Sequence, residues 1–126
     1  MTTLNMAGPF PYTQEEIDRY VPDGVPGNYA FGTFDEGNNV FYVQYVGRSD
    51  SNLRNRINHK LGKYSHFMAS TAASAMEAYH KECQNWHDFG GEQNCLDNSI
   101  HPDRPNGAKL AFCPVCASRI INKICK

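Results

Sequence analysis

What this sequence lacks narrows it first. No apolar run approaches the ~20 residues that a membrane-spanning helix needs, so no span and no membrane partner are expected. Charge of one sign is not in excess: 12 Lys and Arg against 13 Asp and Glu leave a formal net charge of -1. That total argues neither for nor against a nucleic-acid partner. The opening MTTLNMAGPFPY has no cationic segment leading into an apolar stretch, so a secretory signal is not expected and the cytoplasm is the expected location. Internal repeats and low-complexity tracts are missing too. With 40% hydrophobic and 20% charged residues, the chain is expected to be one folded domain over residues 1–126.

What is there centres on residues 26–61. Two runs rich in Tyr, Phe and Val, about 28–34 and 40–46, flank the turn-forming cluster Asp35-Glu-Gly-Asn-Asn39 and predict a β-hairpin. Alternation places Tyr29, Phe31 and Thr33 on one face of the first strand, and Phe41, Val43 and Tyr45 on one face of the second. A helix is predicted over 51–61, capped by Ser49 or Asp50, with Leu53, Ile57 and Leu61 as its buried stripe and Gly62 as its stop. Charge is unevenly spread here. Residues 1–47 hold six acidic side chains against Arg19 alone, whereas 48–63 hold Arg48, Arg54, Arg56, Lys60 and Lys63 against Asp50 alone. Such a local basic face suits a phosphate-bearing ligand, and it equally suits a solvated helix surface.

Around this unit, residues 1–12 read as a loose lead-in broken by Gly8, Pro9 and Pro11. Thr13-Gln-Glu-Glu16 has capping-box form and predicts a short helix to about Tyr20, with Ile17 and Tyr20 inward. A third strand is expected near 64–69. Ser74-Ala-Met-Glu77 opens a helix over about 74–88, and steps of ~100° gather Ala75, Ala78, Tyr79, Glu82 and Trp86 in one sector. A carboxylate on an apolar face needs a partner or a metal, which singles out Glu82.

Five cysteines in a chain without an export signal point to metal ligands or free thiols. Cys113-Pro-Val-Cys116 can present two thiolates to one tetrahedral ion. Cys83 and His87, four apart on the predicted helix, supply the other two ligands of a structural Zn2+ site, with His101 as an alternative to His87. Such a site would brace the irregular, Gly/Asn/Asp/Pro-rich stretch 89–112, long for an unsupported loop. The competing reading makes Cys83 a core residue and Cys113 and Cys116 free thiols. Cys95 and Cys125 have no local partner.

Gly27-Asn-Tyr29, Tyr45-Val-Gly47-Arg-Ser, Asn52-Leu-Arg-Asn-Arg56 and Glu77-Ala-Tyr-His-Lys-Glu82, in that order, resemble the GIY-YIG endonuclease superfamily. Asn28 stands where that pattern carries an aliphatic residue, and Val46 where it carries Ile. The resemblance covers about 26–98, leaving 1–25 as lead-in and short helix and 99–126 as a zinc-knuckle-like extension. It implies an α/β (α+β) sandwich with a small three-stranded antiparallel sheet flanked by helices. It also implies hydrolysis of DNA phosphodiesters with Mg2+ or Mn2+. By the same resemblance Tyr29 and Tyr45 match the motif tyrosines, Arg56 the helix arginine, Arg48 the basic residue after the second triplet, Glu82 the metal-binding glutamate and Asn98 the late asparagine.

In that chemistry Arg56 and Arg48 offset phosphoryl charge, Glu82 holds the divalent ion, and Tyr29 or Tyr45 activates or orients water, with His59 as a competing base. Taken singly, each tyrosine is more often a sheet-packing aromatic, Arg56 and His59 are more often exposed helix residues, and Lys60 is either a second phosphate contact or solvated. A nucleic-acid-binding module without catalysis is the alternative on the same fold. A cysteine hydrolase built on Cys83 is a third, weakened by the neighbouring CxxC. No separate recognition domain fits in 126 residues, so specificity would come from a homodimer, a targeting protein or the 89–112 stretch.

Overall fold

The hairpin forms one side of the sheet, its first strand interior and its second at the edge. Residues 4–98, 100–105 and 113–115 are described by a computed structural model of the chain. Elements run β1 (Ala7–Pro11), α1 (Gln14–Tyr20), β2 (Gly27–Asp35), β3 (Val40–Ser49), α2 (Leu53–Asn58), β4 (His66–Thr71) and α3 (Ala75–Asp88), followed by a 3-10 turn at Gly91–Gln93. The strands form one antiparallel sheet in the order β1-β4-β2-β3. Helices α1 and α2 cover one face, where Ile17, Leu53 and Ile57 pack with Tyr29, Phe31 and Phe67. Helix α3 covers the other, where Trp86 packs with Ala30 and Val46. The result is an α+β sandwich, with an apolar layer on each side of the sheet. No helix of the described residues is long and apolar enough to cross a membrane.

Capping chemistry places the helices as the sequence predicts. Thr13 accepts from the Glu16 amide, Ser74 from that of Glu77, and Glu77 reaches back to the Ala73 amide. For α2 the cap is neither Ser49 nor Asp50 but Asn52, two residues beyond Asp50, whose side chain accepts from the Asn55 amide. Ser49 instead accepts from the Asn52 amide at 2.9 Å, so the loop before the helix is itself hydrogen-bonded. The helix then stops at Asn58, and Leu61, expected in the buried stripe, is 42% exposed.

Three further expectations are corrected. The sheet has four strands, not three, because residues 7–11 join it as an edge strand beside β4. Pro9 and Pro11 hide the alternation and lack amide donors, but an edge strand tolerates both. Tyr20 is not inward: it stays 49% exposed while its ring stacks on Phe10 at 4.1 Å. Finally, Phe41, Val43 and Tyr45 do not share a face. The β2–β3 register runs Phe31↔Tyr45 and then Gly32↔Val43, leaving Gln44 as an extra residue in a bulge. Phe41 and Val43 therefore join the α3 side while Tyr45 joins Tyr29 and Phe31 on the other. Gly32 permits the bulge, since a Cβ there would lie 1.9 Å from the Tyr42 carbonyl oxygen.

Candidate active-site cleft

Strand β3 is an edge of the sheet, and its last residues alternate between the two faces. Tyr45 points toward α2 and Arg48 toward α3, with Gly47 between them paired opposite Tyr29. The Tyr29 ring lies across Gly47; a Cβ at Gly47 would sit 2.4 Å from the Tyr29 hydroxyl. The bare backbone thus lets one cleft of about 420 Å3 wrap the strand edge, lined by Tyr29, Tyr45, Gly47, Arg48, Arg56 and Glu82, with Ser49, Asp50, Ser51 and Asp103. Five of the side chains singled out by sequence meet there. The Tyr29 and Tyr45 rings are nearly parallel, 6.4 Å apart.

Arg48 organises the α3 side of the cleft. Its Nη1 donates to Glu82 Oε1 at 2.6 Å and its Nε to Asp50 Oδ1 at 2.8 Å, and its guanidinium lies 5.1 Å from the Tyr79 ring centre. Glu82 therefore has the partner that its place on an apolar face demands. Its side chain is 12% exposed, and burial pushes its carboxyl above the ordinary range while Arg48 pulls the other way. The two phenols are raised as well. For Tyr29 burial dominates, Tyr45 adds to it, and Arg56 opposes it; for Tyr45 burial and then Glu82 act in the raising direction, against Arg56. Both tyrosines are thus held in the protonated form.

A second groove, about 290 Å3, adjoins this cleft and shares Tyr29, Tyr45 and Arg56 with it; His59, Lys60 and Lys63 complete its lining. Lys60 Nζ stands 4.8 Å from the Tyr45 ring centre. The basic stretch of the sequence is thereby sorted into two uses. Arg54 turns away, donating to the carbonyls of Val21 and Asp18 at the C-terminal end of α1, and Arg48 is held by its two carboxylates. Arg56, Lys60 and Lys63 face the groove. A larger cavity of about 640 Å3 lies elsewhere, against Asn5, Met6, Tyr20, Leu53 and Thr71. None of its lining side chains is charged, so the charged lining is found at the β3 edge.

Asn98 is not a lining residue. Its side-chain amide brackets the Val46 backbone, Nδ2 donating to the carbonyl at 2.8 Å and Oδ1 accepting from the amide at 3.3 Å, so it satisfies the open edge of β3. Trp86 Nε1 donates in turn to the Asn98 carbonyl. Sequence reasoning missed the lining residues Asp50 and Asp103, and the structural part played by Asn28. Asn28 is fully buried and donates to the Ala78 carbonyl of α3 at 2.9 Å. Its departure from an aliphatic residue was the visible signal; Asp50 was visible as the one acid within the basic stretch.

Cys83, His101 and Cys113 form a cluster whose ligand atoms all lie within 4.8 Å of one another, an arrangement that could hold a metal ion. His101 takes the place expected for His87, which instead brings Nδ1 to 2.6 Å from Glu92 Oε1. Cys116 and Cys125 lie outside the described residues, and Cys95 is exposed, away from the cluster. Burial, with Cys113 beside it, pushes the Cys83 thiol up to about 12, the reverse of what a thiolate nucleophile requires. Comparison with protein-family models, with curated proteins and with solved structures finds no match to this chain.

Proposed function

We propose that the chain is a metal-dependent endonuclease of GIY-YIG type that hydrolyses DNA phosphodiesters at the β3 edge. The observation that carries this reading is the meeting of two phenols, two guanidinium groups and a nearly buried carboxylate, from β2, β3, α2 and α3, around one polar cleft. A hard divalent cation, Mg2+ or Mn2+, suits a lining with oxygen donors from Glu82, Asp50 and Asp103 and no sulfur or imidazole. When bound, it would neutralise charge on the phosphate and its attacking oxygen.

The chain's own residues supply the rest. Arg56, at the junction of cleft and groove, offsets charge that develops on the phosphoryl oxygens. Arg48 holds the Glu82 carboxylate in line with the cleft. Tyr29 and Tyr45, kept protonated by burial, donate hydrogen bonds that orient water and phosphate. His59 in the adjoining groove is then the base that takes the proton from water. Lys60 and Lys63 extend the phosphate contacts along the strand being cut.

Nicking of supercoiled plasmid DNA in Mg2+ tests this. Glu82→Ala and Arg56→Ala are each expected to lower the rate by about 100-fold or more, and full activity in Glu82→Ala sinks the reading. One observation favours the runner-up, a binding module without catalysis: the 2.6 Å pairing of Arg48 with Glu82 occupies the carboxylate. Retention of DNA without cleavage under Mg2+ and Mn2+ alike would establish that alternative. At the sulfur-and-imidazole cluster the donor set favours Zn2+ as a structural ion. Purified protein should carry it stoichiometrically, and a metal-free preparation of unchanged stability would remove it.

A further inference from the structure

We infer that Zn2+ at Cys83, His101 and Cys113 shapes the cleft, by docking residues 100–105 against α3 so that Asp103 lines the cleft. The inference rests on the nuclease reading for its activity measurement only. Bonds of about 2.0–2.3 Å to one Zn2+ require ligand atoms drawn together from separate segments, and the three atoms already lie within 4.8 Å. His101 is prepared for the role. Its Nδ1 lies 3.0 Å from the Pro102 carbonyl oxygen, which only accepts, so Nδ1 carries the proton and Nε2 the lone pair. The ring is also held edge-on by Trp86, 5.1 Å between centres.

Two physical links run from this centre to the cleft. Cys83 follows Glu82 on α3, and Cys83 and Cys113 pack against Tyr79, the ring beneath Arg48, which pairs with Glu82. The second link is the chain itself: Asp103, two residues beyond His101, lines the cleft. From 94 to 105 the described residues contain no helix or strand, so backbone pairing does little to hold Asp103 there. An ion joining His101 to α3 supplies that hold at one point.

The test removes Zn2+ with a nitrogen-donor chelator in excess Mg2+. It follows metal content, hydrogen exchange by peptide, urea unfolding and plasmid nicking. Expected are release of one Zn2+ per chain, faster exchange in 100–105 and at the Arg48 end of β3, unchanged exchange in β2, a retained cooperative unfolding transition, and about tenfold slower nicking. Added Zn2+ restores all of these. His101→Ala reproduces the loss without restoration, whereas Cys95→Ser, outside the cluster, behaves as wild type. Four results overturn the inference: no bound Zn2+, release of Zn2+ with exchange at 100–105 unchanged, nicking that does not depend on Zn2+, or loss of the cooperative transition, which would make the ion a global folding ligand. Zinc-dependent exchange in a protein that cleaves no nucleic acid keeps the docking inference and rejects the nuclease. Zinc-independent nicking does the opposite.

Discussion

Gly47 shows how one missing side chain shapes the site. With the Tyr29 ring lying 2.4 Å from where its Cβ would be, Gly47→Ala forces the ring or the strand to move. Overpacking of this kind costs about 1–3 kcal/mol, to be read as a lower urea midpoint together with lost nicking. An unchanged midpoint would mean that the ring is free to swing aside. Glu82 gives a second prediction, in pH. Burial raises its carboxyl above the ordinary 4.5, with Arg48 opposing, so the folded chain holds that proton more tightly than the unfolded chain does. The associated stability is complete below 4.5 and is lost as pH rises through the folded value. Glu82→Gln lacks this loss. Across a pH series of urea midpoints the variant should therefore gain on wild type as pH is raised from 4.5, and a constant difference would refute the shift.

At the scale of elements, two neighbouring arginines have opposite duties. Arg54 donates to Val21 and Asp18 carbonyls that α1 leaves open at its end, whereas Arg56 lines cleft and groove. Arg54→Ala should cost about 1–3 kcal/mol of stability and leave nicking intact; Arg56→Ala should do the reverse. Unfolding and nicking measured on both variants decide it. From the sequence alone the two were indistinguishable members of one basic stretch, because what separates them is the position of α1. The caps of α1 and α3 were legible, since they depend on residues three apart. The Gln44 bulge was not, because alternation by itself carries no signal for an extra residue, and β1 was hidden by its prolines. Tyr29, Tyr45, Arg56 and Glu82 were legible as an ordered motif. Asp103 was not, since it reaches the cleft through a segment whose path owes nothing to local propensity.

For the whole molecule, the proposed activity requires a near-neutral chain to bind a polyanion through a local patch of its surface. Within the basic stretch 48–63, Arg48 is balanced by Glu82 and Asp50 and Arg54 is committed to α1, which leaves Arg56, Lys60 and Lys63 on the groove beside the cleft. If these three each neutralise one phosphate, counterion release sets the salt dependence: the logarithm of the affinity for duplex DNA should fall with the logarithm of salt at a slope of about -2.7. Lys60→Ala and Lys63→Ala should each bring the slope nearer zero by about 0.9, and Arg54→Ala should leave it alone. Fluorescence anisotropy of a labelled duplex without divalent ions, over a salt series, measures this. A much steeper slope untouched by these substitutions would locate the DNA on another surface. A slope near -2.7 that responds to both lysines would instead place the duplex along the groove beside the cleft.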